Sequence, residues 1–471
     1  VTTVAPGAAR LLYWTRQAAG GDSAVRRRLA FLDDSQHWEP ERLREFQFRK
    51  LQELVAHSYQ TVPYYRTLLD RHGLRPDRIR GAEDFRRVPV LSRAALRSAG
   101  STLISSTAAS SSLQRRQSSG STGERVEFWQ DRDFGRWCRA HQLRTYGWCG
   151  NWRLGEPFAL VWGAATYFET RGRRDRFDNA LTNRVELNAF QLDDESLHRL
   201  LDRLIRHRPA LISGYTTALY LLARLARTQG VRLPGLRAVQ PNAEPLNAVM
   251  RAEMEEAFGC EVFDKYGSRE TNIIAHEGRD HAGLRVQAEH SYVEILDDEG
   301  QPCPPGTAGR VVVTTLNNRA MPLLRYETGD LATPLDAPAN ADCGLPAMSQ
   351  VIGRSQDLLC TPEGGLVHPQ LFSNVLRQFP AVDWFQVVQH REDALVIRIV
   401  ARKAVDEAVT EQIAGLVRDL AGFAFQVTFE RLTQMPPSAT GKFRLCICDL
   451  PTAGQDRGFG ALNALRQIDH G

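Results

Sequence analysis

Lysine is nearly missing from this chain: its 59 basic residues include only Lys50, Lys265, Lys403 and Lys442, and the rest are arginine. Base composition of a genome explains such scarcity most simply, but it makes each lysine worth placing. An excess of one charge is missing too, since 59 basic side chains face 55 acidic ones for a net charge of +4. That balance argues against a nucleic-acid coat or a polyanion-binding surface. No stretch approaches the roughly 20 apolar residues needed to span a bilayer, and no charged flank precedes an apolar run near the first residue. The expectation is a cytoplasmic protein with neither nucleic acid nor membrane as partner. Eight cysteines are scattered without a Cys-x-x-Cys pair, the pattern of free thiols in a reducing compartment.

With 471 residues the chain exceeds one core of ordinary size, so two or three domains are expected. Apolar residues at helical spacing (Leu51, Leu54, Val55, Tyr59) predict a helix within 41–71, interrupted at Pro63. The Ser-rich stretch Ser105 to Ser119 precedes a candidate strand at Val126 to Trp129 and is expected to be a loop between strands. Helices are then predicted at Arg132 to Trp148, Asp194 to His207, Thr216 to Gln229 and Leu246 to Phe258. They alternate with strands at Phe158 to Trp162, Ala210 to Ser213, Leu236 to Gln240 and Glu261 to Tyr266. This alternation predicts βαβ units and a mainly parallel sheet. Antiparallel strands follow at Tyr292 to Leu296 and Arg310 to Leu316. A C-terminal α+β unit is expected with strands at Trp384 to His390, Leu395 to Ala401 and Gln426 to Arg431 around a helix from Val405 to Leu420. The predicted class is α/β, a large multi-layer N-terminal domain (1–353) and a small mobile C-terminal α+β domain (354–471). No internal repeat is visible.

The segment Ser118-Ser119-Gly120-Ser121-Thr122-Gly123 has the chemistry of an anion cradle, because small flexible glycines among hydroxyls let backbone N–H groups close around phosphate. It is not a Walker A loop, since Glu124 rather than Lys follows the last glycine. A lone Ser/Gly-rich loop is more often a solvated linker. This one is followed in order by Tyr266-Gly-Ser-Arg-Glu270, Tyr326-Glu-Thr-Gly-Asp330 and Ser438-Ala-Thr-Gly-Lys442. A further segment, His276-Glu277-Gly-Arg-Asp-His281, imitates the zinc-protease pattern, but its second histidine is one residue too far for a shared helical face, and Gly278 weakens any helix.

The order and separation of these four motifs, with Val62-Pro-Tyr-Tyr-Arg66, Asn242-Ala-Glu-Pro245 and Ala320-Met-Pro-Leu-Leu-Arg325, resembles the adenylate-forming superfamily. The resemblance is to its phenylacetate-coenzyme A ligase and CapK-like branch and runs from about Leu43 to Arg444. It implies an enzyme that joins a small carboxylic acid, here aromatic, to ATP as acyl-AMP and then to a thiol. Ser118, Ser119, Gly120, Ser121, Thr122 and Gly123 would hold the β- and γ-phosphates. Ala243, Glu244 and Pro245 would line the adenine, on which Tyr266, followed by Gly267, would stack. Asp330 would accept from the ribose hydroxyls, and Arg354 would lie between domains near ribose and phosphate. Glu270 would support Mg²⁺, and Lys442 would bring the missing cation from a swinging C-terminal lid. The family's Gly-Arg-x-Asp-Asp reads Gly353-Arg-Ser-Gln356-Asp here, which leaves the hinge residue open.

Some relatives carry a structural zinc in the region of His276, His281 and Cys343; with one cysteine left there, no zinc is expected. Trp162, Tyr167, Phe168 and Tyr215 are candidate walls for the acid, although all four suit an ordinary core. The acceptor stays open between coenzyme A, a carrier-protein thiol and an amine. A catalytically degenerate scaffold is the rival from another class. Exposed sheet edges leave room for a homodimer.

Overall fold

The computed structural model describes residues 4–19, 22–118, 126–162, 172–189, 192, 194–336, 343–354, 359–363, 366–367, 372, 375–376, 379, 381–382, 384–401, 405–433, 435 and 445–450. The centre of the N-terminal part is a five-stranded, wholly parallel sheet. Its strands are ordered Arg184–Asn188, Phe158–Trp162, Leu211–Tyr215, Ala238–Asn242 and Glu261–Val262. The inner strands are near-continuous apolar runs because both faces are covered. Ala159, Val161, Ile212 and Val239 face one side, against the helices Asp194–His207, Thr216–Thr228 and Ala248–Phe258. Phe158, Leu160, Leu211 and Ala238 face the other, against the helix Arg132–Trp148 and the helix Ala24–Ser35. Asp131 starts the long Arg132–Trp148 helix by accepting the Phe134 N–H at 2.7 Å.

The predicted strand from Glu261 to Tyr266 is two strands in different sheets. Glu261–Val262 ends the parallel sheet, whereas Lys265–Ser268 forms an antiparallel hairpin with Asn272–Glu277. At the changeover the Glu277 carboxylate accepts the Asp264 N–H at 2.7 Å. The hairpin belongs to a second five-stranded sheet that continues through Leu284–Val286, Ala347–Met348 and Pro334–Leu335. A third sheet places Ser291–Leu296, Gly309–Thr315, Tyr326–Ala332 and Gly353–Arg354 side by side. The latter two sheets share a core of Tyr266, Ile274, Val286, Ile295, Val311, Val313 and Met348.

Helices at Pro40–Thr61 and Pro63–Arg71 meet at Pro63, as the sequence predicts. Two earlier helices, Pro6–Ala19 and Ala24–Ser35, and the pair formed by helix Arg173–Leu181 and strand Arg184–Asn188 were not anticipated. In the C-terminal part a four-stranded sheet, in the order Gln426–Arg431, Ala394–Val400, Trp384–Arg391 and Cys446–Cys448, packs with the helix Glu407–Ala421. That helix is capped by Asp406, which accepts the Val409 N–H, and ends at Gly422 with φ +64°. Among the described residues no helix is long and apolar enough to cross a membrane.

Candidate functional site

Three of the four motifs meet where the hairpin Lys265–Ser268/Asn272–Glu277 approaches the edge of the Tyr326–Ala332 strand. The Tyr266 ring is buried, and its hydroxyl lies 2.8 Å from Asp330 Oδ2 and 3.2 Å from Thr328 Oγ1. Its proton goes to the carboxylate, the stronger acceptor. The Asp330 N–H donates to Thr328 Oγ1 at 3.1 Å, fixing the turn of backbone before the strand continues. Across the ladder Asp330 pairs with Arg354, so these two residues are backbone neighbours. The sequence gives Tyr266 and Asp330 separate tasks; the fold makes the first the hydrogen-bonding support of the second.

Glu270 sits at the hairpin tip and is 5% exposed. Arg93 Nη1 lies 3.6 Å from its Oε1, and Arg93 Nη2 donates to Ser118 Oγ at 2.9 Å. The same Oγ accepts the Val126 N–H at 2.9 Å, and the Ser118 N–H donates to the Val126 carbonyl at 2.9 Å. Ser118 therefore closes the neck of the loop between strands Gln114–Gln117 and Glu127–Gln130, which pair antiparallel. Arg93 joins that neck to Glu270. It is one of many arginines, and nothing in its local sequence marks it; the only hint is Ser92, which caps the helix Arg93–Ala99 by accepting the Ala95 N–H. Leu91 is fastened to the third sheet by its N–H on the Arg325 carbonyl (2.9 Å) and its carbonyl under the Glu327 N–H (3.0 Å). This anchors Arg93 beside the Asp330 strand.

Gly267 is required by close approach: a Cβ there would lie 2.3 Å from the Asn272 carbonyl oxygen. Gly267→Ala is expected to pry the hairpin open below Glu270, at a cost of about 2 kcal/mol. A lower Tm with weaker nucleotide binding checks this; an unchanged Tm would contradict it.

Asn242-Ala-Glu-Pro follows the end of the Ala238–Asn242 strand. Ala243 takes a left-handed φ of +72°, an uncommon and locally costly conformation for a residue with a Cβ. The Glu244 carboxylate accepts the Thr217 N–H at 2.9 Å, and its carbonyl accepts from Thr216 Oγ1 at 3.0 Å. A carboxylate at the N-terminus of the Thr216–Thr228 helix is favoured by the helix dipole, so the Glu244 side chain holds the framework while Ala243 and the exposed Pro245 shape the surface.

Trp162 and Tyr215 end adjacent parallel strands, with ring centroids 4.5 Å apart at 62°. Ligands of open α/β sheets bind outside such carboxyl ends. Burial pushes the Tyr215 hydroxyl up to about 12, so it stays a neutral donor. Ser119, Gly120, Ser121, Thr122, Gly123, Tyr167, Phe168 and Lys442 lie outside the described residues, as does the Arg354 side chain.

His276 is on a strand and His281 in the turn beyond it, which removes the helical geometry a zinc protease needs. Both His276 nitrogens are engaged, Nδ1 with the Glu277 carbonyl at 2.7 Å and Nε2 with Gln240 Nε2 at 2.7 Å. Among the described residues no three His, Cys, Asp or Glu side chains gather to hold a metal. Glu270 belongs to no such group, which suits an ion that takes most of its oxygens from phosphate and water.

Against known proteins, residues 146–318 match the family model for AMP-binding enzymes, and residues 359–449 match the CapK C-terminal domain. A phenylacetate-coenzyme A ligase of Thermus thermophilus is 28% identical over 441 residues, covering 86% of this chain and 96% of that protein. The protein CapK of Staphylococcus aureus is 26% identical, covering 57% of this chain and 59% of its own. A crystal structure of 2-hydroxyisobutyryl-CoA ligase in the postadenylation state shares the fold, with a TM-score of 0.73, 21% identity and coverage of 92% and 94%.

Proposed function

We propose, since this chain belongs to the adenylate-forming superfamily in its phenylacetate-coenzyme A ligase and CapK-like branch, that it is an ATP-dependent, AMP-forming acid–thiol ligase for an aryl or arylacetic acid. The observation that carries this reading is the convergence of Ser118, Glu270, Tyr266 and Asp330, residues from three separate motifs, through Arg93 and the Tyr266–Asp330 hydrogen bond.

In the first half-reaction the acid carboxylate attacks the α-phosphorus of ATP, forming acyl-AMP and releasing pyrophosphate. Asp330, oriented by the Tyr266 hydroxyl, is an acceptor for the ribose hydroxyls, and the Tyr266 ring offers a face to the adenine. Arg93 fixes the neck of the loop from Ser118 to Gly123, whose backbone N–H groups and hydroxyls cradle the leaving phosphates. Lys442 adds positive charge where negative charge develops. Glu270 would hold Mg²⁺, which neutralises phosphate charge when bound. Trp162 and Tyr215 wall the acid, together with Tyr167 and Phe168. In the second half-reaction the coenzyme A thiol adds to the acyl carbonyl and AMP leaves. We take 354–471 as the lid that rotates between these steps, and the protein as cytoplasmic.

The test is pyrophosphate release over a panel of aromatic and aliphatic acids, followed by consumption of coenzyme A. Release with at least one acid and thioester formation from it are expected. Release without thioester, but with transfer to a carrier-protein thiol or an amine, would reassign the acceptor. Absence of release with every acid would favour the degenerate scaffold.

A further inference from the structure

The half-buried Lys265 ammonium has no countercharge among the described residues. Lys265 directly precedes Tyr266, and successive side chains of a strand point to opposite faces. Tyr266 turns into the core shared by the two antiparallel sheets, so Lys265 turns the other way. Its ladder partner is His276, whose ring meets Gln240 of the Ala238–Asn242 strand and Cys149 beyond the Arg132–Trp148 helix. The groups that act on Lys265 are the thiols of Cys149 and of Cys138 on that helix. Ladder partners share a face, so the Lys265 side chain lies beside the His276 ring, on the side of the hairpin that meets the Arg132–Trp148 helix and the Ala238–Asn242 strand, whose last residue is the ladder partner of Tyr215.

Neither thiol is a counterion, because burial pushes both far up from the ordinary thiol value. Among the described residues no carboxylate pairs with the Lys265 ammonium. The side chain is half-buried among these groups, so its ammonium is partly desolvated yet still reachable. Burial lowers it to about 8, which leaves it mainly protonated at neutral pH. A partly desolvated ammonium without a partner is costly, and the cost is recovered when a ligand brings the missing charge.

We propose that Lys265 determines specificity by pairing with a second anionic group on the acid, so that the substrate is a carboxylic acid bearing a carboxylate, sulfonate or phosphonate-type group remote from the carboxyl being activated. This rests on the adenylation reading and on the acid pocket lying at the carboxyl ends of the strands carrying Trp162 and Tyr215.

The probes are matched pairs: phenylacetate against 4-carboxy-, 4-sulfo- and 4-phosphonophenylacetate, and hexanoate against adipate. For the full chain, kcat/KM for pyrophosphate release is measured in wild type, Lys265→Met and Lys265→Arg, and binding of each acid is measured by calorimetry without ATP. Expected is a preference of about tenfold or more for an anionic member over its neutral partner. Lys265→Met should erase that ratio and Lys265→Arg should keep much of it. The three para-substituents separate carboxylate from sulfonate and phosphonate. Equal losses on both members of every pair would assign Lys265 to the carboxyl being activated and overturn the proposal, as would a wild type without preference. If no acid releases pyrophosphate, the adenylation reading fails by itself. Calorimetry still decides Lys265: tighter wild-type binding of an anionic acid, lost in Lys265→Met, supports it, and indifference to the substitution overturns it.

Discussion

Lys442→Ala is expected to lower acyl-adenylate formation on the order of a hundredfold or more, by the measure of losing one preorganised donor to a developing charge. The phosphate loop carries no lysine of its own, and the chain has three others. Lys50 is committed elsewhere, donating to Asn317 Oδ1 and the Glu289 carbonyl within the N-terminal packing. Lys265 points away from the Tyr266 face. Of Lys403 and Lys442, only Lys442, in the small-residue segment Pro436-Pro-Ser-Ala-Thr-Gly441, has a motif suited to a mobile mount. The measurement is pyrophosphate release from ATP and acid, set beside thioester formation from supplied acyl-AMP. The first should collapse and the second fall far less, because the charge on the α-phosphate is already settled in acyl-AMP. Equal rates for wild type and Lys442→Ala in the first assay would remove the catalytic role and restore the scaffold reading.

The second large effect is acid destabilisation through three buried histidines. Burial holds His276 at about 3 and His290 at about 4, and pushes His141 well below the ordinary imidazole value with help from Arg144 and His290. Each is a base with a depressed folded pKa. Below about 6.5 the unfolded chain binds protons that the folded chain refuses, so stability is complete above that value and falls with pH through the window down to the folded values. At about 1.4 kcal/mol per unit, His276 and His290 together remove roughly 4 kcal/mol between pH 6.5 and 5.

Buried acids work in the opposite sense: burial raises Glu294 above the ordinary carboxylate value, and Asp264 further. Burial and the neighbouring Glu277 raise Asp264 to about 7. Its stabilisation is present at low pH and is lost as pH rises through 7, so between pH 7 and 5 it restores roughly 2 to 3 kcal/mol. The three histidines outweigh these acids, because His276 and His290 alone exceed the Asp264 contribution and His141 adds to them. The expected outcome is a Tm lower by on the order of 5 °C at pH 5 than at pH 7. His276→Gln should flatten the slope even if it lowers the Tm at neutral pH. A Tm that holds or rises on acidification would show that these imidazoles titrate normally in the folded chain.

What could be read without coordinates was local. The Arg132–Trp148 helix and the strand Phe158–Trp162 lie where periodicity and apolar runs put them, because a 3.6-residue or 2-residue pattern is set within a few turns of chain. The run from Glu261 to Tyr266 shows the limit. One apolar stretch looks the same whether it stays in one sheet or crosses to another, and the crossing at Asp264 depends on Glu277, thirteen residues later. The early helices carry no clear core face: Pro6–Ala19 buries only Ala9 and leaves Leu11 and Leu12 exposed, and Ala24–Ser35 sets its apolar residues among arginines.

Sequence alone determined the family resemblance, the order of the motifs and the identity of Tyr266, Glu270 and Asp330 as residues to examine, since motif chemistry is written in contiguous residues. Tertiary structure alone decided which charges have partners. It joined Tyr266 to Asp330 across 64 residues, made Arg93 the link between Ser118 and Glu270, spent Glu244 on a helix N-terminus and left Lys265 without a counterion among the described residues. Pairing acts over a few ångströms of space, and chain separation carries no record of it until the sheets have packed.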